Sequence, residues 1–218
     1  MTILGHSTHV AQSPVALPHI VTRVVHSAPQ PGRSGRSRMG QLLGFELAGF
    51  GSYLPDRVIA NEQLAELGCD SDWILRRSGI KERRRASSEQ SASDLAVEAA
   101  KRCLEQSATP IGDVDLIVVA TMTPDHLAPS TACLVQDKLG CTAPAMDVSA
   151  ACAGFMYALV TAGQFVRSGA ACCALVIGTE VMSRITNPRD VKTFPLFGDG
   201  AGAVLLRPCL DVGKGMIS

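Results

Sequence analysis

The stretch Ala151–Val166 constrains the fold of this 218-residue chain more than any other. Its only polar groups are Thr161, Gln164 and the Tyr157 hydroxyl. A helix of that composition is apolar all round, and a helix apolar all round is buried all round. One sheet covers one side of it, so a further layer must cover the other. The flanking sequence supplies the sheet. Strands are predicted near 44–50, 115–120, 143–148, 172–178 and 203–206, and helical stretches near 61–67, 71–78, 91–107, 129–139 and 152–168. Such alternation means an α/β fold of βαβ units in a layered sheet.

Local signals sharpen several of these elements. Ser91 and Asp94 have capping-box spacing, and Leu95, Ala99, Cys103 and Leu104 form the buried stripe of the helix that follows. Pro129 opens and Gly140 closes the next helix. Lys81–Gln90 reads as a polar loop. Within it Arg83, Arg84 and Arg85 read as a solvated turn, with a phosphate-facing role kept as the alternative because Trp73 is close in sequence.

Composition narrows the function classes. Hydrophobic residues make up 46% of the chain, and 20 basic residues balance 20 acidic ones. That balance argues against a nucleic-acid partner. No charge-free apolar run reaches the roughly 18 residues that a membrane span needs. The eight cysteines form no Cys-x-x-Cys pair, and no His-Glu-x-x-His is present, so no metal site is expected. Free thiols in a reducing, cytoplasmic setting are expected instead. Residues 1–38 differ from the rest, with Arg23, Arg33, Arg36 and Arg38, no acid, and the loop-like run Ala28–Ser37. We expect a disordered leader or an over-called start, with Met39 as a credible beginning; organelle import is the alternative.

Cys152 falls at the junction of strand 143–148 with the all-apolar helix, in that helix's first turn. Unpaired N–H groups and the positive end of a helix dipole stabilise a thiolate at such a place. Ala150, Ala151, Ala153 and Gly154 leave the sulfur uncrowded. A thiolate so placed suits attack on a thioester carbonyl, giving a covalent acyl-enzyme while N–H groups face the developing oxyanion. The alternative is a small buried hydrophobe, as cysteines often are, and the chain has others at 69, 103, 133, 141, 172, 173 and 209. His126 lies in a turn before Pro129 and is not expected to serve Cys152 as a base. Gly198, Asp199, Gly200 and Gly202 precede a strand instead of opening a helix, so they are not a dinucleotide loop. They are assigned to a structural turn that lets backbone approach the floor of a site.

The block Asp147–Leu159, with its Asp-Val-Ser-Ala-Ala-Cys-Ala-Gly-Phe run, resembles the nucleophile segment of the β-ketoacyl-acyl-carrier-protein synthase III family. Gly51–Pro55, Ser71–Arg83, Asp115–Ala120 and Phe197–Ala203 resemble further blocks of that family, in the same order. The resemblance covers about residues 43–208, and it implies a thiolase-like αβαβα fold of which 39–208 is the amino-terminal half and 209–218 the start of the crossover.

The resemblance further implies an acyltransferase that loads an acyl group from acyl-CoA onto Cys152 and condenses it with malonyl-acyl-carrier protein, starting fatty-acid synthesis as a homodimer without a bound cofactor. The family's catalytic His and Asn belong to its second half, and none of the five histidines here matches. Trp73 and Arg77 match its coenzyme A contacts, through indole stacking on adenine and guanidinium binding of oxygen anions. From the residues alone, Trp73 could equally pack a helix. Ala128 matches a position that limits acyl length, where a small residue admits a longer or branched primer. Where many relatives carry Asp-Arg-x-Thr, this chain has Asp190-Val-Lys-Thr193, so Lys192 must stand in for an arginine that stacks and forks. A condensing enzyme of secondary metabolism, or an inactive or split half, are the other readings.

Overall fold

The computed structural model describes residues 44–68 and 70–209. The leader, the Met39 start, Cys69 and the crossover 210–218 lie outside the described residues.

A five-stranded mixed sheet in the order β1-β7-β6-β4-β5 carries the fold. Its strands are β1 (Gly44–Tyr53), β4 (Leu116–Ala120), β5 (Ala145–Val148), β6 (Ala174–Val181) and β7 (Asp199–Cys209). The helices are α1 (Ser71–Ser78), α2 (Ala92–Gln106), α3 (Thr131–Leu139) and α4 (Gly154–Arg167). A separate antiparallel pair joins β2 (Arg57–Ala60) to β3 (Glu82–Arg85).

β4 runs parallel to β5 on one side and to β6 on the other, while β7 is antiparallel to both β6 and β1. Right-handed crossovers explain the layering. The chain leaves β4 through α3 to reach β5, then returns through α4 to β6 on the far side of β4, so α3 and α4 lie on opposite faces. The side chains of β4 alternate accordingly. Ile117 and Val119 join Leu95, Ala99, Cys103 and Val135 of α2 and α3, whereas Leu116, Val118 and Ala120 join Ala158, Ala162 and Val166 of α4. All five residues of β4 are buried.

Polar groups fix the helix ends. Asp94 accepts the Ser91 N–H at 2.8 Å, which realises half of the capping box. The Asp147 carboxylate of β5 accepts the N–H groups of Thr131 and Ala132 at 2.8 and 2.7 Å, holding the start of α3 beside the strand. Gly140 closes α3 in the left-handed region. α2 lies so close on β1 that a Cβ at Gly51 would meet the Ala99 carbonyl oxygen and the Cys103 nitrogen at 2.4 Å.

The helical stretch at 61–67 is a 3-10 helix. Three expectations are corrected. Lys81–Gln90 is not simply a loop, and the arginine run is not a solvated turn: β3 pairs with β2, and Arg83 and Arg85 are 5% and 6% exposed. Alternation along a strand turns both inward, where Arg83 donates to Asn61 Oδ1 at 2.7 Å and to the Pro195 carbonyl at 3.1 Å. Gly200 and Gly202 lie inside β7 rather than in a turn, because Asp199 already pairs with Val181 across the ladder. Finally, α4 is buried on one side only. Ala158, Leu159, Ala162 and Val166 face the sheet, while Met156, Tyr157 and Val160 are 53%, 58% and 54% exposed. The described residues thus supply one of the two layers that an all-apolar helix requires.

Candidate active site

Strand order reverses at β4, and in open α/β sheets ligands bind in the crevice at the carboxyl ends of the strands flanking such a point. Cys152 sits there. β5 ends at Val148, and the chain turns through a 3-10 segment, Ala151–Ala153, before α4 begins at Gly154. The cysteine therefore precedes the α-helix rather than lying in its first turn, a correction with a local cause. Ala151 has φ +50°, a left-handed conformation that an alanine adopts at a cost, and it redirects the chain into the helix. Gly154 then passes the end of β4, where a Cβ would lie 3.5 Å from that of Ala120.

This geometry leaves Cys152 exposed, whereas Cys103, Cys173 and Cys209 are buried. The small-buried-hydrophobe alternative thus describes those residues and not Cys152. Burial pushes the Cys103 thiol up to about 11.

Cys152 opens into a cavity of about 420 Å³ whose lining includes Leu54, Met122, Phe155, Met182, Gly200 and Gly202. The wall is mostly apolar, and Glu180 supplies its one carboxylate. Gly200 leaves room for this wall, since a Cβ there would meet Leu54 at 3.0 Å. Gly198 borders the same cavity and is approached from behind by β3, at 3.1 Å from the Arg83 Cβ. The glycines thus admit close approach, Gly198 just before β7 and Gly200 as a strand residue within it.

Glu180 and Asp199 organise the surroundings. Glu180 accepts the Met122 N–H at 2.8 Å and the Thr123 hydroxyl at 2.7 Å, tying the end of β6 to the segment after β4. Asp199 is 3% exposed and accepts the N–H groups of Ala86 and Ser183, both at 2.8 Å, and the Ser183 hydroxyl at 2.6 Å. Sequence reasoning missed Glu180. Its signal was an acid near the end of an otherwise apolar strand run.

The remaining candidates do not line the Cys152 cavity. Trp73 lies on α1, whose start is capped by Asp70 accepting the Trp73 N–H at 2.5 Å. Its side chain is 45% exposed, and the neighbouring Ile74 takes the buried place against Leu64. Ile74 thus takes the buried place on this helix, and Trp73 remains partly accessible. Arg77 is exposed on the same helix, one turn on. Lys192 is also exposed, its backbone N–H bonded to Asp190 Oδ1 at 2.9 Å, and Val191 precedes it at 39% exposure. Ala128 and His126 are exposed in the segment leading to Pro129 and do not line the cavity, whose wall takes Met122 from the same segment.

A family model described as 3-oxoacyl-[acyl-carrier-protein (ACP)] synthase III matches residues 146–218. A β-ketoacyl-[acyl-carrier-protein] synthase III of Rhodopirellula baltica is 61% identical over 170 residues, covering 78% of this chain and 49% of the relative. The crystal structure of 3-oxoacyl-[acyl-carrier-protein] synthase III from Aquifex aeolicus superposes with a TM-score of 0.75 at 44% identity, covering 77% of this chain and 55% of that one. The priming β-ketosynthase of the R1128 polyketide biosynthetic pathway superposes with a TM-score of 0.75 at 34% identity, covering 79% of this chain and 52% of that one. The chain spans about half the length of the curated relatives it matches. Its sheet and helices have the thiolase-like architecture of these structures, and the chain belongs to the β-ketoacyl-acyl-carrier-protein synthase III family.

Proposed function

We propose that Cys152 is the acyl-accepting nucleophile of a condensing enzyme that initiates fatty-acid synthesis. The observation that carries this reading is an exposed thiol, on a strained turn at the carboxyl ends of parallel strands, opening into a mostly apolar cavity. In the loading step the Cys152 thiolate attacks the carbonyl carbon of an acyl-CoA thioester. A tetrahedral oxyanion forms next to the N–H groups at the start of α4 and then collapses, expelling coenzyme A as its thiolate and leaving an acyl-cysteine. The apolar wall suits the acyl chain.

In the condensing step malonyl-acyl-carrier protein loses carbon dioxide, its carbanion attacks the acyl-cysteine carbonyl, and the Cys152 thiolate leaves with formation of a 3-oxoacyl product. The resemblance puts the His and Asn that stabilise charge in this step in the family's second half, and none of the five histidines here matches, so the loading half-reaction is what the residues of this chain support. Trp73, Arg77 and Lys192 are proposed to hold coenzyme A outside the cavity, and Ala128, which does not line the cavity of its own chain, to border the acyl end of the second copy's site across the dimer contact.

β5 pairs only with β4 among the described residues, and its open edge supports a homodimer as the assembly. No helix among the described residues is long and apolar enough to cross a membrane. We propose a cytoplasmic location. A second reading, the priming step of a secondary-metabolism pathway, has a specific basis. The polyketide priming ketosynthase fits as well as the Aquifex enzyme does, and Val191-Lys192 alters the expected coenzyme A wall.

The test is coenzyme A release from acyl-CoA, followed chromatographically. Cys152→Ala abolishes release and Cys172→Ala preserves it. Equal loss in both variants would sink the assignment.

A further inference from the structure

Arg83 and Arg85 are two residues apart on β3, point to the same side and are both buried. They reach two adjacent residues of the segment that carries Lys192, one each. Arg83 donates to the Pro195 carbonyl at 3.1 Å, and the Arg85 guanidinium carbon lies 4.3 Å from the centroid of the Phe194 ring. From the other side, Phe194 packs against the small core of Leu64 and Ile74, and Ile74 adjoins Trp73 on α1. Arg83 continues the link through Asn61 Oδ1 at 2.7 Å, and Asn61 donates to the Ile80 carbonyl, just past α1, at 2.8 Å. The Lys192 segment is fixed in turn by Asp190, whose carbonyl accepts the Phe194 N–H at 3.0 Å.

Arg85 is an expensive way to hold an aromatic ring. Neither of its terminal nitrogens has a hydrogen-bond partner among the described residues, and its side chain is removed from water. Burial is the main influence on the guanidinium, pushing its pKa down, while Asp199 opposes the shift and Arg57 adds to it. A buried charge of this kind commonly costs stability relative to an apolar side chain of similar size, so stability alone does not explain it. What it supplies is a directional contact between β3 and Phe194.

We propose that Arg83 and Arg85 form a double clamp on Phe194–Pro195 that fixes the Trp73–Arg77 helix relative to Lys192, making Arg85 a positioning residue for coenzyme A recognition. The inference rests on the coenzyme A reading above. It extends that reading to a residue that touches neither the cavity nor the exposed binding candidates.

Trp73 is the only tryptophan in the chain, so its fluorescence reports the site directly. Free coenzyme A titrated into the full chain is expected to change the emission saturably. Arg85→Met is expected to weaken binding about tenfold or more, with the urea midpoint not lowered, a split that a purely structural role does not give. Arg85→Lys, which keeps a cation over the ring, stays within about threefold of wild type, and Phe194→Leu behaves like Arg85→Met. If Arg85→Met fails to fold, the Lys and Phe194→Leu variants decide the question on the same readout. Wild-type affinity in Arg85→Met or in Phe194→Leu overturns the clamp alone. A wild-type chain with no saturable response overturns the coenzyme A reading and the clamp with it.

Discussion

Glu180 at the end of β6 and Met122 just beyond β4 are joined by a hydrogen bond of 2.8 Å from the Met122 N–H to Glu180 Oε1. Both residues line the cavity into which Cys152 opens. The bond therefore links the carboxyl ends of two parallel strands across the site. The second oxygen of Glu180 accepts the Thr123 hydroxyl at 2.7 Å, and that hydroxyl accepts the Val181 N–H at 2.8 Å, so the loop after β4 is held at several points.

Removing this anchor takes the acceptor from the Met122 N–H and from the hydroxyl of the buried Thr123. Glu180→Ala is expected to lower stability by about 2 kcal/mol and to slow Cys152 acylation as Met122 shifts. Urea unfolding and single-turnover acylation check both parts. Unchanged rates in a destabilised variant would confine Glu180 to stability.

Gly51 carries α2 directly on its backbone. Because an added Cβ would lie 2.4 Å from main-chain atoms of Ala99 and Cys103, Gly51→Ala is expected to cost roughly 3 kcal/mol. Urea midpoints test this, and a variant as stable as wild type would contradict the close approach.

The sequence made much of the fold legible, because several elements declare themselves within a few residues. The all-buried run of β4, the Ser91–Asp94 start of α2 and the Gly140 end of α3 each depend on local chemistry. The strand-to-helix junction holding Cys152 was legible for the same reason, from small residues between an apolar strand and an apolar helix, but the left-handed Ala151 that sets the cysteine before the helix was not. The β2–β3 pair was not. Three consecutive arginines read as solvated charge, and only distant partners, Asn61, Phe194 and Pro195, turn Arg83 and Arg85 inward. α4 shows the opposite case. Its composition specified two covering layers, and the described residues provide one.

Acid sensitivity is expected at Asp94. Burial would raise its pKa, but hydrogen bonds from Lys138 at 2.6 Å and from Ser91 outweigh it and hold the carboxyl below its ordinary value. A carboxyl depressed in the folded state contributes stability above its unfolded pKa and loses it as pH falls through the folded one. The urea midpoint is therefore expected to fall below about pH 4, and to fall less steeply in Asp94→Asn. Identical acid limbs would contradict the assignment.

Thiol accessibility separates the cysteines. At about pH 8, iodoacetamide is expected to label Cys152 and Cys172, which are exposed, while Cys103 and Cys173 react only on unfolding. The same thiols set an alkaline limit. Cys103 stays protonated in the folded chain until about 11, above its ordinary 9.0, so the stability it contributes is complete below the lower value and is lost as pH rises through the higher one. Early labelling of Cys103 would show that the α2 face of the core opens.

The central claim is that Cys152 accepts an acyl group from a thioester. The most direct test is intact-mass analysis of the chain after incubation with acetyl-CoA and longer acyl-CoAs, with peptide mapping of the adduct. The account predicts a single acyl group on Cys152, absent from Cys152→Ala. A folded chain that remains unmodified, or that carries its acyl group on another cysteine, would contradict it.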